Sequence, residues 1–173
     1  MTCQAPTERT NWEIFVIGRT NLLAENSLGR PASPRTTRSS VGAATETARS
    51  AIAQLGNGKT YLSFWPRRVA GGLDFARVTS GGAHACGETT SNRVYCWGSN
   101  GSGNLGDGTT TTRLTPVAVT GGLFFRQVSA GDSHTCGKTT ADVAYCWDNN
   151  EWGQLGDGTT TDRLRPTPVA GLS

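Results

Sequence analysis

Residues 71–119 read GGLDFARVTSGGAHACGETTSNRVYCWGSNGSGNLGDGTTTTRLTPVAV, and the pattern returns fifty residues later over 121–169. Between 71–120 and 121–170, 27 of 50 aligned positions are identical. A fixed period of this length, with Gly, aromatic and turn residues in register, marks a stacked or radially repeated unit. The chain therefore reads as a repeat protein.

Stepping back one period from Asn104-Leu105-Gly106-Asp107-Gly108 lands on Gln54-Leu55-Gly56-Asn57-Gly58, and Pro116 and Val119 land on Pro66 and Val69. The tail of an earlier unit is thus visible at about 54–70. Upstream the correspondence fails: Trp97 maps to Thr47, Cys96 to Glu46, Cys86 to Thr36 and His84 to Pro34. The expected division is an N-terminal segment, 1–50, followed by a repeat region, 51–173, holding that partial unit and full units at 71–120 and 121–170. The stretch from Asn11 to Ala24 suits a helix or a strand equally. From Glu25 to Ser50 the chain is rich in Ser, Thr, Arg, Ala and Pro, too poor in large apolar groups to offset the entropy of ordering. A disordered or non-native extension is expected there, with a basic partner-docking tail as the alternative.

At 173 residues the chain can bury a real core, although only 35% of it is apolar and 23 residues are Gly. Threonine runs and Gly pairs replace helix formers, so short strands joined by tight turns are expected, and the fold class is all-β. The net charge of +3 is spread thinly, with ten Lys or Arg against nine Asp or Glu over 51–173. That balance disfavours binding nucleic acid by phosphate neutralisation. No apolar run is long enough to span a bilayer as a helix, and Ile14-Phe15-Val16-Ile17 is too short for a signal-peptide core. No membrane partner and no export signal are expected.

Within each unit, Phe75 to Ser80 and Phe125 to Ala130 read as strands with Val78 and Val128 inward. Ala83 to Thr89 pairs with Arg93 to Trp97, and Ser133 to Thr139 with Val143 to Trp147. Thr90-Ser91-Asn92 and Thr140-Ala141-Asp142 fit three-residue hairpin loops whose last residue is left-handed. That register sets Cys86 opposite Cys96, and Cys136 opposite Cys146. Next comes a Gly-rich loop anchored by Leu105 or Leu155, then a final strand at Val117 to Val119 or Thr167 to Val169. Pro116 and Pro166 suit the start or edge of that strand.

Three states compete for the paired cysteines. Cross-strand disulfides fit the opposition best, buried free thiols come second, and zinc held with His84 or His134 is weakest because structural zinc cysteines sit two to four residues apart. Disulfides would favour an extracellular, periplasmic or cell-surface location. His134 with Cys136 resembles a nucleophile pair, yet both residues recur in each unit, as structural devices do and single active sites do not. Asp107 and Asp157 suit turn-capping better than calcium binding. No catalytic residue and no cofactor is expected, and the repeated His84, His134, Trp97, Trp147, Leu105, Leu155, Gly106, Gly156, Asp107 and Asp157 read as structural. Specificity belongs where the units differ: Trp152 replaces Ser102, beside Glu151. Its ring either anchors a protein partner or packs on its own loop.

The strings V-S-A-G-x-x-H-x-C at 128–136, Y-C-W at 145–147 and G-Q-L-G-D-G-T at 153–159 resemble the regulator of chromosome condensation repeat, most of all its bacterial versions. The resemblance covers about 54–173. It implies a β-propeller of four-stranded blades of about fifty residues, typically about seven to a ring, of which this chain holds a part. It also implies a protein-interaction platform within a larger bacterial protein. Family members include a nucleotide exchange factor for a small GTPase on chromatin and an inhibitor of β-lactamases. Glu88 and Lys138 stand where the family has an apolar residue, and are expected to pair across the blade interface or to mark degraded packing. Asp148 stands in place of the Gly found at Gly98 and is expected to keep a left-handed backbone. An open fragment is expected to expose both terminal blade faces, and to complete itself with further repeats, another copy or a protein partner.

Overall fold

The computed structural model describes residues 12–17, 21–26, 55–60 and 67–171. Among these residues the chain is all-β, with no helix, and its sheets form part of an unclosed propeller. The first blade, A, consists of β4 (Phe75–Ser80), β5 (His84–Thr89), β6 (Val94–Gly98) and β7 (Arg113–Ala118), hydrogen-bonded in that order. Blade B repeats it with β8 (Phe125–Ala130), β9 (His134–Thr139), β10 (Ala144–Asp148) and β11 (Arg163–Pro168). Ahead of them, β1 (Trp12–Ile17) pairs with β2 (Asn21–Asn26) and with β3 (Arg67–Arg68), giving a three-stranded sheet ordered β2-β1-β3. Both described pieces of the N-terminal segment are therefore strand. The expectation of disorder concerns residues that, beyond Asn26, lie outside the described ones.

The central hairpins follow from their loops. Asn92 at φ 61° and Asp142 at φ 67° take the left-handed turn position, which their short polar side chains tolerate. Thr89 and Thr139 each receive an amide hydrogen bond from the residue that reopens the strand, Arg93 or Val143, at 3.1 Å. The register that results sets Cys86 against Cys96 and Cys136 against Cys146.

The final strands are longer than the sequence suggests. They begin at Arg113 and Arg163, so Pro116 and Pro166 lie inside β7 and β11 rather than at their starts. Both strands are sheet edges, where a residue without an amide donor forfeits no ladder bond on its outer side. The expected charge pair between Glu88 and Lys138 is also absent. Lys138 turns to Asp142 of its own hairpin at 2.8 Å, while Glu88 is buried beside β4, where Arg77 is its register partner.

The larger hydrophobic cluster lies between sheets rather than within one. Cys86, Val94, Cys96 and Leu105 of unit A meet Phe125 and Trp147 of blade B. Phe75, Ala85 and Trp97 form a second cluster with Val69, Leu73, Val78 and Tyr95. Leu55, from the partial unit, is buried, and a Cβ on Gly56 would stand 2.7 Å from the Trp97 indole nitrogen. Blade A is thus covered on its N-terminal side, and the expectation that both terminal faces lie open holds only for blade B.

The units interlock through the Gly-rich loop, which reaches forward onto the next unit. Gly58 N donates to Leu114 O and Gly108 N to Leu164 O, both at 2.9 Å, so each loop pairs with the outer strand of its successor. A Cβ on Gly106 would meet the Trp147 ring at 2.8 Å, and one on Gly103 would meet Leu164 Cα at 2.7 Å. Gly153, the counterpart of Gly103, has only Thr159 O within range, at 3.8 Å. Both glycines are left-handed, at φ 91° and 71°, so backbone strain is common to the two and the clash is not. Gly103→Ala is expected to cost about 1–3 kcal/mol more than Gly153→Ala, measured as the difference in denaturant-unfolding free energy; equal costs would contradict the interlock.

Candidate functional site

Each unit carries a loop locked by one asparagine. Asn100 is fully buried: its Oδ1 accepts from Leu105 N at 3.0 Å, and its amide nitrogen donates towards Thr109 O, Thr111 O and Asp107 Oδ1 at 2.9–3.1 Å. Asp107 Oδ1 accepts from the Thr109 amide and hydroxyl, while Arg113 reaches Oδ2 at 3.1 Å. The same arrangement returns at Asn150, Asp157, Thr159 and Arg163. Burial alone would raise the Asp107 carboxyl, but Thr109, Asn100 and Arg113 together hold it below the usual carboxylate range. For Asp157 the Thr159 hydroxyl does most, with Arg163 and Asn150 adding, and the shift is again downward. The asparagines were missed in the sequence. Their identity at the same place in both periods was the available signal.

A second network crosses from blade A to blade B. His84 Nε2 lies 2.7 Å from the Thr135 hydroxyl, and that hydroxyl and Trp147 Nε1 both donate to Asn104 O, at 3.3 and 3.1 Å. One proton assignment satisfies the whole chain: His84 is neutral with its proton on Nε2, and the buried Nδ1, which has no partner, is bare. Burial, reinforced by His134, lowers the His84 pKa to about 4. The Asn104 side chain donates to Asp148 Oδ2, whereas Asp148 Oδ1 is buried without a partner. Burial raises the Asp148 pKa to about 7, and Asp162 adds to the rise. Asp148 keeps the left-handed backbone, φ 95°, where its counterpart is Gly98 at φ 112°.

The cysteine sulfurs stand at disulfide distance, 2.12 Å for Cys86 and Cys96 and 2.11 Å for Cys136 and Cys146. Their Cα separations of 4.0 and 4.1 Å fit the closely spaced, non-hydrogen-bonded position of an antiparallel pair. Cys86 and Cys96 are sealed beneath blade B, while Cys136 is half-buried on the uncovered side of its own blade. Among the described residues no three His, Cys, Asp or Glu side chains are grouped to hold a metal ion.

The residues singled out for repetition fall into two groups. Trp97, Trp147, Leu105 and Leu155 are buried, and His84 is sealed, whereas His134 is half-buried and Gly156 exposed because no blade covers them. Trp152 is 84% exposed and so does not pack on its own loop. Its amide donates to Gln154 Oε1 at 2.9 Å, which fixes the backbone and leaves the ring free, beside the exposed Glu151.

Two family models, both described as Regulator of chromosome condensation (RCC1) repeat, match residues 91–137 and 75–104. Residues 75–137 match the RCC1-type repeat. Among solved structures, human WBSCR16 is 22% identical with a TM-score of 0.61, covering 70% of this chain and 34% of its own. Prp20p from Saccharomyces cerevisiae is 20% identical at TM-score 0.61, over 67% of this chain and 31% of that one. Yeast RCC1 (Prp20) in complex with Kap60 is 20% identical at TM-score 0.59, over 67% and 30%. No curated protein sequence matches. The chain spans about a third of the length of these structures, and at such identities the likeness is one of fold.

Two measurements follow from the RCC1-type junction. The raised Asp148 carboxyl stabilises the fold fully below its unfolded pKa, and this contribution is lost as pH rises through about 7. The lowered His84 acts oppositely, with its contribution present above about 6.5 and lost as pH falls through about 4. Asp148→Asn removes the first and leaves the second. Between pH 5 and 6.5 the stability of the variant relative to wild type should therefore fall on acidification, by about 1.4 kcal/mol per pH unit. Thermal unfolding across that range checks it, and a constant difference would refute the assignment. In dilute protein, mild reductant is expected to open Cys136–Cys146 before Cys86–Cys96, since attack on a disulfide requires access to a sulfur. Differential alkylation with mass spectrometry reads the order.

Proposed function

We propose that the chain is a non-catalytic protein-interaction module that meets its partner through the loop carrying Trp152. The exposure of that ring, 84%, is the observation that carries the reading. The repeated asparagine, aspartate and arginine are committed to the loop locks, whereas Glu151 and Trp152 stand in place of Gly101 and Ser102 and face solvent. An exposed aromatic on a fixed backbone is the type of side chain that anchors protein interfaces. The related fold is put to such use elsewhere: Prp20p is described with its binding properties to Gsp1p and histones, and yeast RCC1 bound to Kap60.

A second reading, an exchange-factor-like regulator of a small GTPase, draws on the same relatives. The cysteine pairs favour the first reading, because disulfides persist in oxidising compartments and are rare in the cytosol and nucleus. Within it, an inhibitor of an extracellular enzyme such as a β-lactamase is the specific form suited to an extracellular, periplasmic or cell-surface setting. Trp152→Ala should leave the melting temperature unchanged and weaken binding to a captured protein partner by about 30-fold, as expected for a hot spot of about 2 kcal/mol. Equal binding by wild type and variant in surface plasmon resonance would sink the proposal.

A further inference from the structure

Every strand position of β5 is buried, whereas β9 alternates, leaving His134, Cys136 and Lys138 half-exposed on one face. That face corresponds to the one blade A presents to blade B. The forward contacts of the loop are likewise unmade at this end: Gly158 N has no partner among the described residues, although Gly58 N and Gly108 N both find the outer strand of the next unit. Gly56 and Gly106 lie against the rings of Trp97 and Trp147, while a Cβ on Gly156 would meet only Val169, at 3.1 Å. Blade B therefore ends in a loop with the backbone of its two predecessors and nothing for it to grip.

The chain also holds a surface of matching shape, on the side of blade A where Trp97 and Leu114 O receive the loop at 55–58. Gln154-Leu155-Gly156-Asp157-Gly158 differs from Gln54-Leu55-Gly56-Asn57-Gly58 at one residue. The earlier loop lacks the lock of the later one, since Ser50, Asn57 and Ser63 stand at the sequence positions of Asn150, Asp157 and Arg163. Among the described residues Asn57 makes the turn bond, accepting from Lys59 N at 2.9 Å. The sheet ahead of blade A is joined to the partial unit through two residue pairs, Glu13 with Arg68 and Ile14 with Arg67.

We propose that blade B docks head to tail on blade A of a second copy of this chain, its 154–158 loop replacing the 55–58 loop of that copy. Gly158 N then donates to the Leu114 carbonyl and Gly156 packs against the Trp97 ring. Both contacts copy junctions already present within one chain, and the incoming loop arrives with its Asn-Asp-Arg lock formed. One contact is not reproduced: Ala85 stands where Thr135 meets His84, so His134 gains no hydroxyl partner. The interface is heterologous, and exchange of like elements between copies is a low-cost route to assembly.

Sedimentation velocity on the full chain with its cysteine pairs intact tests this. Wild type should associate as concentration rises, in whole multiples of one chain. Gly153→Asn places a side chain where Gly103 makes its close approach to Leu164, at a left-handed position that Asn tolerates. It should weaken association about tenfold or more with the monomer melting temperature retained. Leu55→Asp loosens the resident loop and should strengthen association, and the Leu55→Asp/Gly153→Asn double variant should return to monomer. A wild type that stays monomeric at about 100 µM, or association by Leu55→Asp that survives Gly153→Asn, overturns the proposal. The Trp152 reading is untouched by either result.

Discussion

The structure depends on an indole held beneath a glycine of the preceding unit. Trp147 lies under Gly106 and donates its one N–H to the carbonyl of Asn104, so its largest apolar surface and its single polar atom are both satisfied by a neighbour. Truncating a buried Trp costs about 3–5 kcal/mol, a large share of the stability of a small domain. Because that surface is buried across the junction, neither unit has a sufficient core alone. Cys86, Val94, Cys96 and Leu105 on one side, and Phe125 and Trp147 on the other, form one cluster only when the sheets stack. Repeat proteins in general distribute stability in this way, through terms between nearest neighbours.

Much of this was legible because period and turn chemistry are local. The hairpin loops ending in Asn92 and Asp142 fix the cysteine register by counting, and the left-handed Asp148 follows from its alignment with Gly98. What was not legible involves contacts whose two ends lie in different units. Nothing near Asn104 in the chain marks its carbonyl as the acceptor for a ring 43 residues on. Glu88 and Lys138 looked paired because they are equivalent, yet equivalent residues of successive blades lie a whole blade apart; Lys138 turned to Asp142 of its own hairpin, and Glu88 is buried in blade A. The early start of β7 and β11 was hidden by Pro116 and Pro166, which an edge strand accommodates.

The polar residues most suggestive of chemistry are consumed by architecture. His84 is neutral within a hydrogen-bond relay, Asp107 and Asp157 are turn caps neutralised by arginines, and the cysteines face each other across hairpins. Such residues recur because the junction recurs. Variation at an exposed loop leaves that junction intact. In this chain that means the approach to Gly153, where Ser becomes Trp without disturbing the lock that Asn150 maintains.

The forward reach of the Gly-rich loop gives the array a polarity that its near-identical units do not reveal. Each unit seals the one after it, so fraying runs from the uncovered end inward, and the last blade is the natural first foldon to open. Amide exchange would then be graded along the chain, slowest in the sealed β5 and fastest towards Gly171, even though the two blades share most of their residues.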